Sequence, residues 1–165
     1  MKTCLVGCGG IAAVHGSVLT SGIDTEFVAA ADIKPEKAQT YAENFHTKPY
    51  PSLESMLEAE KPDVLHICTP HYLHVPMAIY SLERNINVFM EKPPAISFDQ
   101  LEELKKAAAK SEAQLGFCYQ NRYNASIRAA KDLIDSGKAG KVLGARAFVT
   151  WCRGAAYYTE SGWRG

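Results

Sequence analysis

Two rhythms of apolar and polar residues alternate along the first 120 positions. Short apolar runs predict strands at Thr3 to Val6, Glu26 to Ala31, Val64 to Cys68, Val88 to Met90 and Gln114 to Tyr119. Between them stand segments with apolar residues three or four apart, the period of a helix packed on one face. These predict helices over Ile11 to Leu19 (Ile11, Val14, Val18, Leu19), Pro35 to Phe45, Leu53 to Glu58, His74 to Glu83 and Phe98 to Lys110. Ser52 and Ser97 stand where N-caps belong. In the last of these helices Asp99, Glu102 and Glu103 come early and Lys105, Lys106 and Lys110 late, an order that suits the helix dipole. Val64 to Cys68 reads as a strand buried on both faces.

Strands alternating with helices of about ten to fifteen residues predict right-handed βαβ units and a parallel sheet. The fold class is therefore α/β, a doubly wound parallel sheet over residues 1–120. After residue 120 the rhythm changes. Asn124 to Ile134 has the pattern of an amphipathic helix stopped by Gly137, and Val142 to Trp151 alternates loosely (Val142, Ala145, Ala147, Val149, Trp151). That stretch reads as the first strand of a different, antiparallel sheet, so residues 121–165 read as the start of a second domain. Uncovered, such a strand would expose apolar surface, which predicts pairing with another copy, docking, or poor order. The tail from Arg153 to Gly165 is rich in Gly, Tyr and Trp without a clear period.

Composition narrows the function. Hydrophobic residues make up 47% and charged residues 22% of the 165, the mix of a globular protein. Lys plus Arg and Asp plus Glu both number 18, and this neutrality argues against a nucleic-acid or anionic-membrane partner. No apolar run approaches the roughly 18 residues of a membrane-spanning helix. The N-terminus lacks the apolar length of a secretory signal. The 5 cysteines lack zinc-type spacing and read as reduced, mostly buried side chains of a cytoplasmic protein.

The first chemistry lies in the turn Gly7-Cys8-Gly9-Gly10-Ile11-Ala12, which fits G-x-G-x-x-A between a strand and a helix. Gly7 permits the tight turn, Gly9 permits close approach of a pyrophosphate, and Ala12 permits close helix–sheet packing. The helix N-terminus at Gly10 and Ile11 offers N–H groups and partial positive charge to the phosphates. Asp32 ends the second strand, where a carboxylate accepts hydrogen bonds from an adenosine ribose and repels a 2′-phosphate. Asp32 also suits capping of the helix that follows. No arginine follows it, although Lys34 offsets part of the repulsion, so NAD is preferred and NADP remains possible.

Further along, Thr69-Pro70 follows a strand, either near the expected cofactor path or as a loop that stops the strand and starts a helix. His71 and His74 are spaced for capping or a cofactor contact, and with no third ligand in view no metal is read. Glu91 is placed to orient Lys92 or to pair with a neighbour, and Lys92 ends a strand at the edge where open α/β sheets bind ligands, although the residues alone favour an exposed lysine beside a structural turn. There its amine could polarise a carbonyl or relay a hydroxyl proton. Arg122 is read as facing a substrate cleft or pairing with a carboxylate. Tyr157, Tyr158, Trp163 and Arg164 suit sugar or nucleotide contacts, or packing of a sheet.

Glu91-Lys92-Pro93, with Gly7-x-Gly9-Gly10-x-Ala12, Thr69-Pro70-x-x-x-His74 and Asn121-Arg122-Tyr123, resembles the glucose–fructose oxidoreductase / inositol dehydrogenase / MocA family of NAD(P)-dependent oxidoreductases. The resemblance covers the whole chain. It implies a Rossmann domain followed by an α/β domain with a large open, mainly antiparallel sheet. It also implies an active site between them and sugar, cyclitol or related carbinol substrates. Lys92 would be the catalytic lysine near the nicotinamide. Gly7, Gly9, Gly10, Ile11, Asp32, Thr69, Pro70, His74, Glu91 and Lys92 would hold cofactor, with Arg122, Tyr123, Trp163 and Arg164 on the substrate side. Members of the family usually run well over 300 residues, and their second domain supplies an Asp and a His that this sequence does not reach. The expectation is thus the N-terminal part of a dehydrogenase, inactive alone. The alternatives are a non-catalytic dinucleotide-binding sensor, or an inactive fragment. A homo-oligomer through the C-terminal segment is also expected.

Overall fold

The computed structural model describes residues 1–22, 24–159 and 162. They divide into two compact units, Met1–Cys118 and a second beginning at Tyr119. The first unit alternates strand and helix: β1 (Lys2–Val6), α1 (Ala12–Ser21), β2 (Glu26–Ala31), α2 (Pro35–Phe45), β3 (Lys48–Tyr50), α3 (Leu53–Glu60), β4 (Val64–Ile67), α4 (His74–Leu82), β5 (Asn87–Glu91), α5 (Phe98–Lys110) and β6 (Leu115–Cys118). The sheet order is β3-β2-β1-β4-β5-β6, and all five pairings are parallel. Strand order reverses between β1 and β4, the place where a doubly wound sheet opens a crevice for a ligand.

The sheet has a core on each face. On one, Cys4, Val6, Ala29, Ala31, Leu65, Ile67, Val88 and Met90 pack against α3, α4 and α5 through Met56, Leu82 and Leu104 among others. On the other, Leu5, Ala30 and Cys68 pack with Ala12 of α1 and Tyr41 of α2. Ser52 and Ser97 cap α3 and α5 by accepting the Ser55 and Gln100 N–H groups.

Four features depart from the sequence reading. The buried face of α1 is Ala12, His15, Gly16 and Leu19, while Ile11, Val14 and Val18 are exposed. Small residues win this face because α1 lies close to the sheet and to α2. A methyl at Gly16 would stand 2.5 Å from the Tyr41 hydroxyl and 2.7 Å from the Phe45 ring, and the Tyr41 hydroxyl donates to Ala12 O at 2.7 Å. Second, β4 is not buried on both faces, since Val64 and His66 are half-buried. Third, β3 was not predicted: it is an edge strand of three residues, and Pro49 is tolerated there. Fourth, no strand forms over residues 142–151. A strand needs a ladder partner, and this stretch has none among the described residues. In the second unit a 3-10 turn (Gln120–Tyr123) leads into α6 (Ala125–Asp135), and α7 (Ala155–Thr159) follows. Its described residues are all exposed.

At the opposite end of the sheet from the crevice, Glu60 is buried among Lys2 Nζ, Lys48 Nζ (both at 2.9 Å) and the Tyr50 hydroxyl, which donates at 2.6 Å. The Tyr50 hydrogen bond, then those of Lys48 and Lys2, hold the Glu60 carboxyl down at about 2. A carboxyl whose pKa is lowered by folding stabilises the fold above its unfolded value, near 4.5, and loses that contribution as pH falls toward 2. Glu60→Gln is expected to cost on the order of 2 kcal/mol at pH 7. The gap to the parent, read from urea midpoints, should close near pH 2. A gap independent of pH would assign the loss to packing.

Candidate cofactor site

β1 ends at Val6 and the chain must turn at once into α1. Gly7 carries that turn with φ of +92°. A methyl there would lie 2.8 Å from the backbone of Cys68 and Thr69, so only glycine fits. The Gly7 N–H donates to Ala31 O at 2.8 Å. Gly9 and Gly10 are the opposite case: nothing stands within 4 Å of a Cβ at either. The N–H groups of Gly9, Gly10 and Ile11 have no acceptor among the described residues. Open space, unpaired donors and the positive end of α1 make a cradle for an anion such as pyrophosphate.

Asp32, half-buried just after β2, braces this cradle. One carboxylate oxygen accepts the Cys8 N–H and the other the Lys34 N–H, both at 2.9 Å. The residue at the N-cap of α2 is Lys34, so Asp32 caps the turn before the helix rather than the helix itself. Burial, with Asp32 adding to it, pushes the Cys8 thiol up to about 12, which keeps it protonated.

Thr69 and Pro70 come just after β4, and the Cys68–Thr69 peptide lies against Gly7, so the two motifs share the crevice. His74 opens α4 and is completely buried. Its ring lies between two carbonyl oxygens, with Nδ1 2.8 Å from Pro93 O and Nε2 3.0 Å from Thr69 O. It therefore stands between the loop after β4 and the loop after β5, and its N–H ties it to one carbonyl in the neutral ring and to both in the protonated one. His71 stacks edge-on against it at 5.6 Å. Burial first, then the charges of His74 and Lys92, lower the His71 pKa and keep that ring neutral. Lys92 is exposed at the end of β5, and the Lys92–Pro93 bond is cis.

A buried cluster behind Lys92 was missed from sequence. The Glu91 side chain turns inward between α1 and the sheet. Its Oε1 accepts from His15 Nε2 at 3.1 Å and its Oε2 from the Lys92 N–H at 3.3 Å. His15 Nδ1 meets His66 Nδ1 at 2.9 Å. Burial raises the Glu91 pKa, but hydrogen bonds from His15 and Cys118 outweigh it, so the carboxyl stays below its ordinary value. Burial, then His15, pushes His66 down to about 4 and keeps it neutral. The available signal was a histidine on the small-residue face of α1 and another inside a strand.

Gly7, Gly9, Gly10, Ile11 and Asp32 thus surround one turn, Thr69, Pro70 and His74 come after β4, Glu91 ends β5 and Lys92 follows it. Arg122 and Tyr123 are in the second unit, exposed in the 3-10 turn, and Trp163 and Arg164 lie outside the described residues. No helix among the described residues is long and apolar enough to cross a membrane. None of the five cysteines is in a disulfide. Cys4 and Cys68 are buried, Cys8 and Cys118 half-buried, and Cys152 is exposed, against the expectation of burial for most.

Residues 1–119 match the GFO_IDH_MocA model, described as oxidoreductase family, NAD-binding Rossmann fold. The chain belongs to this family. Among curated relatives, D-glucoside 3-dehydrogenase of Escherichia coli is 28% identical over 99% of this chain and 46% of its own length. Inositol 2-dehydrogenase/D-chiro-inositol 3-dehydrogenase of Lacticaseibacillus casei is 28% identical over 89% of this chain and 44% of its own length. Among solved structures, the WlbA dehydrogenase of Chromobacterium violaceum, in complex with NADH and UDP-GlcNAcA, superposes with a TM-score of 0.92 at 31% identity, covering 100% of this chain and 48% of that one. This member of the oxidoreductase family therefore spans about half the length of the relatives it matches.

Proposed function

We propose that the chain is the NAD-holding part of a dehydrogenase acting on a carbinol carbon of a sugar, cyclitol or related polyol. The observation that carries the proposal is the turn after β1, where Gly7 is sterically required while Gly9 and Gly10 face open space beside unpaired N–H groups. Those N–H groups and the N-terminus of α1 would hold the pyrophosphate. Asp32 would accept from the ribose hydroxyls. Each of its oxygens gives one lone pair to a backbone N–H and keeps another. When bound, the nicotinamide gives or takes the hydride. Lys92 would hold the reacting hydroxyl or carbonyl oxygen and pass its proton, with its backbone fixed by Glu91. His74 would keep the two loops in place, and Thr69 and Pro70 would line the cofactor path.

In this reading residues from 119 onward begin the substrate domain, with Arg122, Tyr123, Trp163 and Arg164 on the substrate side and self-association through the same segment. The relatives named above, dehydrogenases of glucosides and inositols, support the substrate class. Unbridged cysteines favour the cytoplasm.

Calorimetric titration of the chain with NAD and NADP tests the cofactor assignment. NAD is expected to bind more tightly. Asp32→Ala should weaken NAD roughly 10–100-fold, the worth of hydrogen bonds to a charged group, and NADP much less. Equal loss for both would take the ribose away from Asp32.

A further inference from the structure

Three donor side chains from three separate elements converge behind Lys92: His15 of α1, Glu91 at the end of β5 and Cys118 at the end of β6. One donor atom from each lies within 4.8 Å of the others. His15 Nε2 and Glu91 Oε1 are 3.1 Å apart. In a tetrahedral zinc site, bonds of about 2.0–2.3 Å set ligand atoms roughly 3.3–3.6 Å apart. The His15–Glu91 edge is thus close to that length already. Sheet register places Cys118 directly opposite Glu91, and its thiol is already hydrogen-bonded to the Glu91 carboxyl.

The atoms not facing this point are already held. His15 Nδ1 is engaged by His66 Nδ1 at 2.9 Å, and Glu91 Oε2 by the Lys92 N–H at 3.3 Å. Metal-binding histidines and carboxylates are held in this way by outer partners that fix ring orientation and tautomer. Imidazole, carboxylate and thiolate together are a borderline-soft set, suited to zinc and poor for magnesium or calcium. A divalent cation with one carboxylate and one thiolate is formally neutral, the condition under which a buried ionic site is tolerable.

We propose that His15, Glu91 and Cys118 form a binding site for a zinc-type divalent cation, with His66 as the outer partner of His15. The cation bonds to His15 Nε2, Glu91 Oε1 and Cys118 Sγ, and a fourth position remains for water. For neutral imidazoles the protons balance as follows. The His15 proton moves from Nε2 to Nδ1 and donates to His66 Nδ1, the His66 proton moves to its Nε2, and the Cys118 thiol proton leaves to solvent. One proton is released per cation bound. The site uses none of the glycine-turn donors but shares Glu91 with the brace on the Lys92 backbone, so zinc and NAD binding are read as separate quantities.

The test uses the whole 165-residue chain, stripped with chelator and titrated with zinc, with cobalt(II) as the spectroscopic probe. The expected result is one high-affinity site, release of one proton, and an affinity that rises about tenfold per pH unit while the thiol is protonated. Cobalt should give the strong visible bands of a tetrahedral site and a thiolate charge-transfer band. Cys118→Ser should remove that band, and Cys152→Ser should leave it. His66→Phe should keep the band and weaken zinc roughly 10–100-fold, as removal of an outer partner does. Histidine ¹⁵N spectra of the unaltered chain should show the His15 proton shift from Nε2 to Nδ1 on zinc addition, a readout that does not depend on any variant folding. Absence of stoichiometric binding, an unmoved His15 proton, or a charge-transfer band surviving in a folded Cys118→Ser protein would overturn the site. Loss of NAD binding with zinc binding intact would count against the cofactor proposal alone.

Discussion

Alanine at position 7 is expected to cost about 2–4 kcal/mol of stability, while leucine at position 9 should cost less than about 0.5 kcal/mol and still abolish NAD binding. The two glycines belong to one motif but answer to different physics. Gly7 holds φ of +92°, a region closed to most side chains, and its missing Cβ would meet the Cys68–Thr69 backbone at 2.8 Å. Backbone atoms at the end of a central strand cannot step aside as a flexible side chain can, so strain and clash add. Gly9 shows neither constraint, since nothing lies within 4 Å of its Cβ position. Its constraint comes only with a ligand in the crevice, where a leucine would occupy the pyrophosphate's space. Urea unfolding reads the first effect as a lower midpoint at unchanged slope. Calorimetry reads the second as a loss of at least about 100-fold, or about 2.7 kcal/mol of binding free energy. A Gly9→Leu protein that binds NAD like the parent would remove the cofactor from this turn. A Gly7→Ala protein with parental stability would show that the strand end yields.

This contrast also explains what the sequence made legible. A residue chosen by its own backbone leaves a local mark, so Gly7, the Ser52 and Ser97 caps and the βαβ rhythm could all be read along the chain. What depends on several elements could not. β3 is Lys48-Pro49-Tyr50, too short for a period, and it exists because β2 offers it an edge. The α1 face was misassigned because apolarity pointed to Val14 and Val18, while the close approach to α2 selects Ala12 and Gly16. The stretch 142–151 has strand composition but no partner to pair with among the described residues. The cluster behind Lys92 joins His15 to His66 across 51 positions and to Glu91 across 76, distances at which no spacing rule for metal ligands operates. It forms because α1 packs over β4 and β5, and that packing is fixed by small residues rather than by the histidine itself.

The 165-residue chain is expected to bind NAD(H) and yet to oxidise sugars and cyclitols at or near background. Hydride transfer requires the substrate carbon to be held a few ångströms from the nicotinamide, and orientation of this kind supplies roughly 7–11 kcal/mol of the barrier reduction in well-positioned cases. In the proposed reading Lys92 would give one contact to the reacting oxygen, which cannot fix a carbon in three dimensions. The described residues from Tyr119 onward form no paired strand and bury no side chain, so they build no second wall of their own. In a protein carrying this chain at the full length of its relatives, that wall would be present and turnover should appear. There Lys92→Ala should lower kcat by roughly 10²–10⁴-fold and change KM much less, because a proton-transfer group acts chiefly in the transition state. The measurement is NADH formation against a panel of glucosides, hexoses and inositols, for the chain and for the long form with and without Lys92→Ala. A loss confined to KM would make Lys92 a substrate-binding group instead. Robust turnover by the 165-residue chain alone would show that Lys92 and its neighbours already hold the substrate, and that the second wall is not needed for the chemistry.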